Sequence, residues 1–225
     1  MKTRQFAMAS CLVLISNCAF AGKLGVEYSS FISDVRPRSS WKDIRDRDVT
    51  KQNLDYSCGA SALATILSGY YGMPTTEEAV LQRIPVSDGM ASFGDLKQAA
   101  ATFGFNAVGL SATFEQLQKL NLPAIVYLNL DRPAPHFSVV RGISEDAVWL
   151  ADPSLGNRTY SAAQFREKWE IKEPSVAKLS GAEGRFLVLL PLSSRAHINR
   201  AFFSRHPLRH TNTALQQMLL DSHFR

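Results

Sequence analysis

The chain is predicted to fold as an α+β domain, a helical first half followed by an antiparallel sheet, and three observations predict it. From residue 58 to about 120, apolar residues recur at helical spacing behind N-capping signals. From 124 onward, short apolar or alternating runs take over, separated by turn residues. Two of these runs are joined by Ser144-Glu145-Asp146, short enough for a hairpin and hence for antiparallel pairing. Helices first and strands after is the pattern of an α+β domain.

Taken in order, Lys2 and Arg4 precede an apolar run from Phe6 through Ile15, and Ala19-Phe20-Ala21 stands before Gly22. This is the pattern of a secretory signal peptide cut after Ala21. The run is shorter than the roughly 20 residues that a spanning helix needs, and no later stretch reads as a membrane span. Cys18 follows Asn17 rather than a small residue, which disfavours lipidation. The expected organisation is a signal peptide at 1–21, one domain at 22–192 and a basic tail at 193–225.

Residues 26–32 suggest a strand, and the charged segment 41–50 reads as surface leading into Gln52. A helix is expected from about 58 to 71, with Leu63, Ile66, Leu67 and Tyr70 on its apolar side. Gly72-Met73-Pro74 breaks it, and Thr75 with Glu78 reads as a capping box for a short helix to about Arg83. Ser92 with Asp95 opens another helix that Gly104 stops, and Thr113 with Gln116 opens a third to about Leu120. Strands are expected at 124–130, 136–143, 147–151 and 185–190, with a helix from Ser161 and Gln164 through Trp169.

The chain has 3 cysteines, and two of them, Cys11 and Cys18, lie in the expected signal. The exported form then has Cys58 alone and makes no internal disulfide. A lone thiol in an oxidising compartment is either a small buried hydrophobe or a working group. Its place at the mouth of a predicted helix favours work, because the helix N-terminus stabilises a thiolate over a thiol. The net charge of +5 falls to +3 without the signal, and +4 of that sits after Ser193, so the body carries about −1. No basic face is indicated on the folded part, which argues against a nucleic-acid-binding domain.

A cysteine hydrolase needs a base, a group to orient it, and donors for the oxyanion. Of the five histidines only His136 falls in the expected core, at the first position of a strand after a Pro-containing turn. Asp152 ends the next strand, so hairpin pairing brings the carboxylate beside the imidazole. Alone, Asp152-Pro153 is an ordinary turn signal and His136 an edge histidine. Their joint occurrence with Cys58 gives them weight.

Gln52 with Cys58-Gly59-Ala60, His136-Phe137-Ser138-Val139-Val140 and Asp152-Pro153-Ser154-Leu155-Gly156, in this order and spacing, resemble the C39 peptidases, papain-like proteases found in bacteriocin-processing transporters. The resemblance runs from about Trp41 to Leu190. It implies a papain-like fold, with Cys58 as nucleophile, His136 as base and Asp152 as orienting acid. Gln52 would be the side-chain donor to the oxyanion, and the Cys58 N–H a second donor. It also implies peptide-bond cleavage through a thioester, with no cofactor and no metal. Ser57 departs from the acidic residue that transporter-borne members carry before the cysteine. Length, signal and Ser57-Cys58 are most similar to the free-standing, exported C39-like peptidases of functional-amyloid (Fap) export systems. That likeness implies a periplasmic enzyme with polypeptide substrates, and amyloid subunits or outer-membrane secretion machinery as partners. A non-cleaving peptide-binding module is the alternative, and the intact Cys58, His136 and Asp152 argue against it.

Overall fold

Ten consecutive residues, Cys58 through Leu67, are buried in one helix, α2 (Cys58–Gly69), and the rest of the fold is built on both sides of the sheet it covers. The computed structural model describes residues 40–84, 91–130, 136–171, 182–194 and 196–203. The expected signal peptide, the strand suggested at 26–32 and the tail from 204 lie outside these residues. Contacts divide the chain into Met1–Ser40 and Trp41–Arg225, and the second unit is the one described below.

Before α2 comes the short α1 (Trp41–Asp46); after it come α3 (Glu77–Leu81), α4 (Phe93–Thr102), β1 (Phe105–Ala112) and α5 (Phe114–Leu120). Next are β2 (Ala124–Leu128), β3 (His136–Ile143), β4 (Ala147–Asp152), β5 (Gly156–Ser161), α6 (Ala162–Trp169) and β6 (Gly184–Pro191). A single 3-10 turn, Arg200–Phe202, follows. Capping boxes at Ser92/Asp95, Thr113/Gln116 and Ser161/Gln164 open α4, α5 and α6, each with both reciprocal hydrogen bonds made. Gly104, at φ +83°, ends α4 in the left-handed conformation that an L side chain resists.

The six strands form one antiparallel sheet in the order β1-β6-β2-β3-β4-β5. One face packs against α2, α3 and α4 through Leu63, Ile66, Leu96, Phe137, Val139 and Leu187. The other face packs against α5 and α6 through Phe114, Val140, Leu150, Phe165, Trp169 and Phe186. Cover on both faces explains why all eight positions of β3 are buried.

Four details differ from the sequence reading. β1 has no counterpart in the sequence reading: its middle mixes Val108 and Leu110 with Ala107, Gly109 and Ser111, which are weak strand formers, and it lies at the sheet edge, where pairing to β6 supplies what propensity does not. β5 was not predicted, and only its last residue, Ser161, was assigned, as a helix start: Gly-Asn-Arg-Thr-Tyr-Ser is polar and half exposed because β5 is the other edge. The cap of α3 is Thr76, whose Oγ1 accepts from Ala79 N, while Thr75 turns its hydroxyl onto Met73 O. α2 ends at Gly69, and Tyr70 and Tyr71 follow it into the core.

Packing on α2 continues past Leu192. Asn199 donates from its backbone to Tyr70 O and from its side chain to Gly69 O, and Phe202 is fully buried against the helix end. Arg141, also buried, donates to Phe202 O, Arg47 O and Asn157 Oδ1, pairs with Asp48, and stacks between Trp149 and Phe202. It sits where the β3/β4 register shifts between Val140 and Gly142.

Candidate active site

The hairpin brings two ends together. Val139 faces Ala151 and Val140 faces Leu150, so the first residue of β3 lies beside the last residues of β4. His136 Nε2 is 3.1 Å from Asp152 Oδ2, with both side chains almost wholly buried. The other carboxylate oxygen, Oδ1, accepts from the backbone N–H of Ser154 and of Leu155, each at 2.9 Å. Three polar atoms thus fix the carboxylate, and the carboxylate fixes the ring. With Nε2 committed to Asp152, Nδ1 is the ring nitrogen left for the hydrogen bond to Cys58.

Cys58 is the first residue of α2, 1% exposed. Ser57 stands at the cap position, yet its hydroxyl does not cap the helix. It turns back, donating to Leu54 O at 2.8 Å and receiving Leu54 N at 3.3 Å, which closes the tight turn that delivers the thiol. The Gly59 N–H donates toward the sulfur, as does the Phe137 N–H from β3.

Electrostatics follow from this geometry. Burial pushes the Cys58 thiol up, but the hydrogen bond and charge of His136 and the two backbone N–H groups outweigh it, and the net shift is down. Burial pushes His136 down, but Asp152 and Cys58 outweigh it and raise the imidazole to about 9. Asp152 is likewise pushed up by burial, yet is held below its ordinary range by the bond from His136, by its charge and by the two turn amides. All three shifts favour a thiolate beside an imidazolium beside a carboxylate.

Gln52 bridges two loops. Its Nε2 donates to Leu54 O at 2.9 Å and to Asp55 O at 3.4 Å, its Oε1 accepts from Ser154 Oγ at 2.7 Å, and its backbone N–H donates to Pro153 O at 3.1 Å. The amide that the sequence singles out thus lies between the turn before Cys58 and the turn after Asp152. The sequence reading missed the residues holding this arrangement, Ser154, Ser57 and Glu77. Glu77 is a buried carboxylate that receives the backbone and side-chain N–H groups of Asn53. The only signal for Ser154 was its place in Asp152-Pro153-Ser154; Glu77 had none, because its neighbour Glu78 fits a capping pattern better. Among the described residues, no group of three or more His, Cys, Asp and Glu side chains is arranged to hold a metal ion.

A helix-borne thiol docked against an imidazole and a carboxylate on a neighbouring antiparallel hairpin is the architecture of a papain-like cysteine peptidase domain. The peptidase C39 family model matches residues 46–173, more than half of the chain, and the chain belongs to that family. It is 35% identical over 139 residues to the probable functional amyloid protease FapD of Pseudomonas aeruginosa, covering 57% of this chain and 61% of that protein. With the FapD of Pseudomonas fluorescens the identity is 29% over 168 residues, covering 70% and 73%. The chain therefore spans less than two thirds of the first of these relatives. In fold it is similar to the peptidase domain of Streptococcus ComA, a bi-functional ABC transporter of a quorum-sensing pathway, with a TM-score of 0.54 at 19% identity over 64% of this chain and 97% of that domain. No helix among the described residues is long and apolar enough to cross a membrane.

Proposed function

We propose that the chain is an exported cysteine endopeptidase that cuts a secreted polypeptide through a thioester intermediate. The observation that carries this reading is the contact of Cys58, His136 and Asp152 in one buried line, with every shift in their ionisation favouring the charged pair. The Cys58 thiolate attacks the scissile carbonyl carbon, and the carbonyl electrons move onto its oxygen. Gln52 Nε2 and the Cys58 N–H donate to that oxyanion. His136 passes its Nδ1 proton to the leaving amine, then takes a proton from the water that hydrolyses the thioester. Asp152 stays ionised and holds the ring with Nε2–H toward itself.

The likeness to the FapD proteases supports a substrate or partner among the exported subunits of a functional amyloid, or the outer-membrane machinery that secretes them. The signal-like residues 1–21 support a periplasmic location, with 193–225 as a basic extension of the peptidase domain. The test is to compare new N-termini in the exported proteome of a wild-type strain and of a Cys58→Ala strain. Cleavage products present only in the wild type support the peptidase. A Cys58→Ala strain with unchanged N-termini and unchanged amyloid export refutes it; unchanged N-termini with a binding partner retained identify a peptide-binding module instead.

A further inference from the structure

We propose that Ser154 is a positioning residue for acyl transfer: its hydroxyl fixes the Gln52 carboxamide so that the amino end, not the oxygen, serves the oxyanion. This rests on the reading of Gln52 as an oxyanion donor. The two ends of a carboxamide have nearly the same shape, so hydrogen-bond partners alone decide which way it points. Here Ser154 Oγ meets Oε1 at 2.7 Å on one side, while two carbonyl oxygens, Leu54 O and Asp55 O, face Nε2 on the other. A flipped amide would aim its oxygen at both carbonyls, and Ser154 supplies the donor that keeps Oε1 anchored away from them. The two N–H groups are unequally held. The bond to Leu54 O is 2.9 Å, whereas Asp55 O lies 3.4 Å away, at the limit of a useful hydrogen bond. That second N–H is the one released to a developing oxyanion at least cost.

The same residue also serves the acid, since Ser154 N donates to Asp152 Oδ1 at 2.9 Å. One turn thus sets the carboxylate by its backbone and the oxyanion donor by its side chain. The backbone bond from Gln52 N to Pro153 O and the Ser154 N–H contact do not depend on the hydroxyl, so Ser154→Ala removes the orienting contact without releasing either loop.

Two reagents separate this role from effects on the thiolate. With p-nitrophenyl acetate, Sγ bonds to the acetyl carbon, the carbonyl electrons pass through an oxyanion, and the ester C–O bond breaks to release p-nitrophenolate and leave thioacetyl-Cys58. With iodoacetamide, Sγ displaces iodide and no oxyanion forms. The readout is the ratio of the two rates in the purified protein. Ser154→Ala is expected to lower that ratio about tenfold and Gln52→Ala about a hundredfold, the range for losing one oxyanion donor. Ser154→Thr, which keeps the hydroxyl, restores most of the ratio. The Q52A/S154A double variant falls no lower than Q52A, because Ser154 acts through Gln52. A wild-type ratio in Ser154→Ala overturns the proposal, and so does a double variant that loses the product of the two single effects. A fall in alkylation equal to the fall in acylation also overturns it, by placing the effect on Asp152 and the thiolate. A wild-type protein without a p-nitrophenolate burst, or a burst indifferent to Gln52→Ala, defeats the underlying reading, and the role of Ser154 falls with it.

Discussion

Replacing His136 by alanine should convert Cys58 from a thiolate into an ordinary thiol, and the size of that change follows from the site. Four interactions lower Cys58 against its burial, and two of them, a hydrogen bond and a charge, come from His136. Without the imidazole, burial and two backbone N–H groups remain, so the thiol returns toward its free value of about 8.5. At pH 6 such a thiol is about 0.3% ionised, so a fully formed ion pair holds roughly 300 times more thiolate. A thiolate of lower pKa is intrinsically less nucleophilic, by a Brønsted slope of about 0.4–0.5, which trims the rate advantage to about 10- to 100-fold. The assay is iodoacetamide alkylation of the purified protein from pH 5.5 to 10, followed by mass, with circular dichroism confirming that His136→Ala is folded. The wild type should alkylate faster than the variant at pH 6 and rise less steeply with pH up to about 9. The variant should start 10- to 100-fold lower and rise about tenfold per pH unit to a plateau above 8.5. A wild-type curve that also rises tenfold per unit with a midpoint near 8.5 would refute the ion-pair reasoning, however well the three side chains are aligned.

The other expectations concern the acid and the packing. Asp152→Asn keeps an acceptor for the Ser154 and Leu155 amides but removes the charge that raises His136, so the imidazole titration seen by NMR should fall from about 9 toward 6.5. Peptidase activity needs the imidazolium as acid, and its alkaline limb should move to lower pH by the same amount; a titration left at 9 would show that Asp152 does not hold the ring. Gly156→Ala puts a Cβ 2.5 Å from Asp46 Oδ1 and 2.7 Å from Arg45 O at φ +81°, and should destabilise by about 2–4 kcal/mol, lowering Tm by roughly 5–15 °C. Phe202→Ala empties a fully buried site beside Gly69 and should cost about 3–5 kcal/mol in urea denaturation. A loss under 1 kcal/mol would mean that residues 196–203 are not part of the cooperative fold.

Why the site was easier to read than the fold around it is a matter of which residues carry unambiguous signals. The meeting of Cys58, His136 and Asp152 was legible because each sits at an element boundary, and boundaries carry composition: an uncharged helical run after Cys58, a proline turn before His136, a proline after Asp152. The predicted hairpin then placed the last two side by side, and β3 and β4 pair as expected. Strands β1 and β5 were not legible. They are the sheet edges, where one neighbour's hydrogen bonds stabilise sequences in which Val108, Thr159 and Tyr160 are diluted by glycine and polar residues. The role of Arg141 was hidden for a different reason. A cation at the centre of a buried strand reads as a solvent-facing residue until Asp48, Asn157 and the Phe202 carbonyl, distant in sequence, are seen to converge on it. Glu77 was hidden in the same way, since its partner Asn53 belongs to a loop 24 positions earlier.

Cys58 rides on a helix, while His136 and Asp152 ride on a sheet, and no local segment contains two of the three within one turn of chain. Competence is therefore a property of docking between layers, not of any element. A chain held extended, whether on a ribosome or in transit through a translocation pore, carries a thiol of ordinary reactivity and a histidine that titrates near neutrality. Folding is the step that brings the thiol, the imidazole and the carboxylate together.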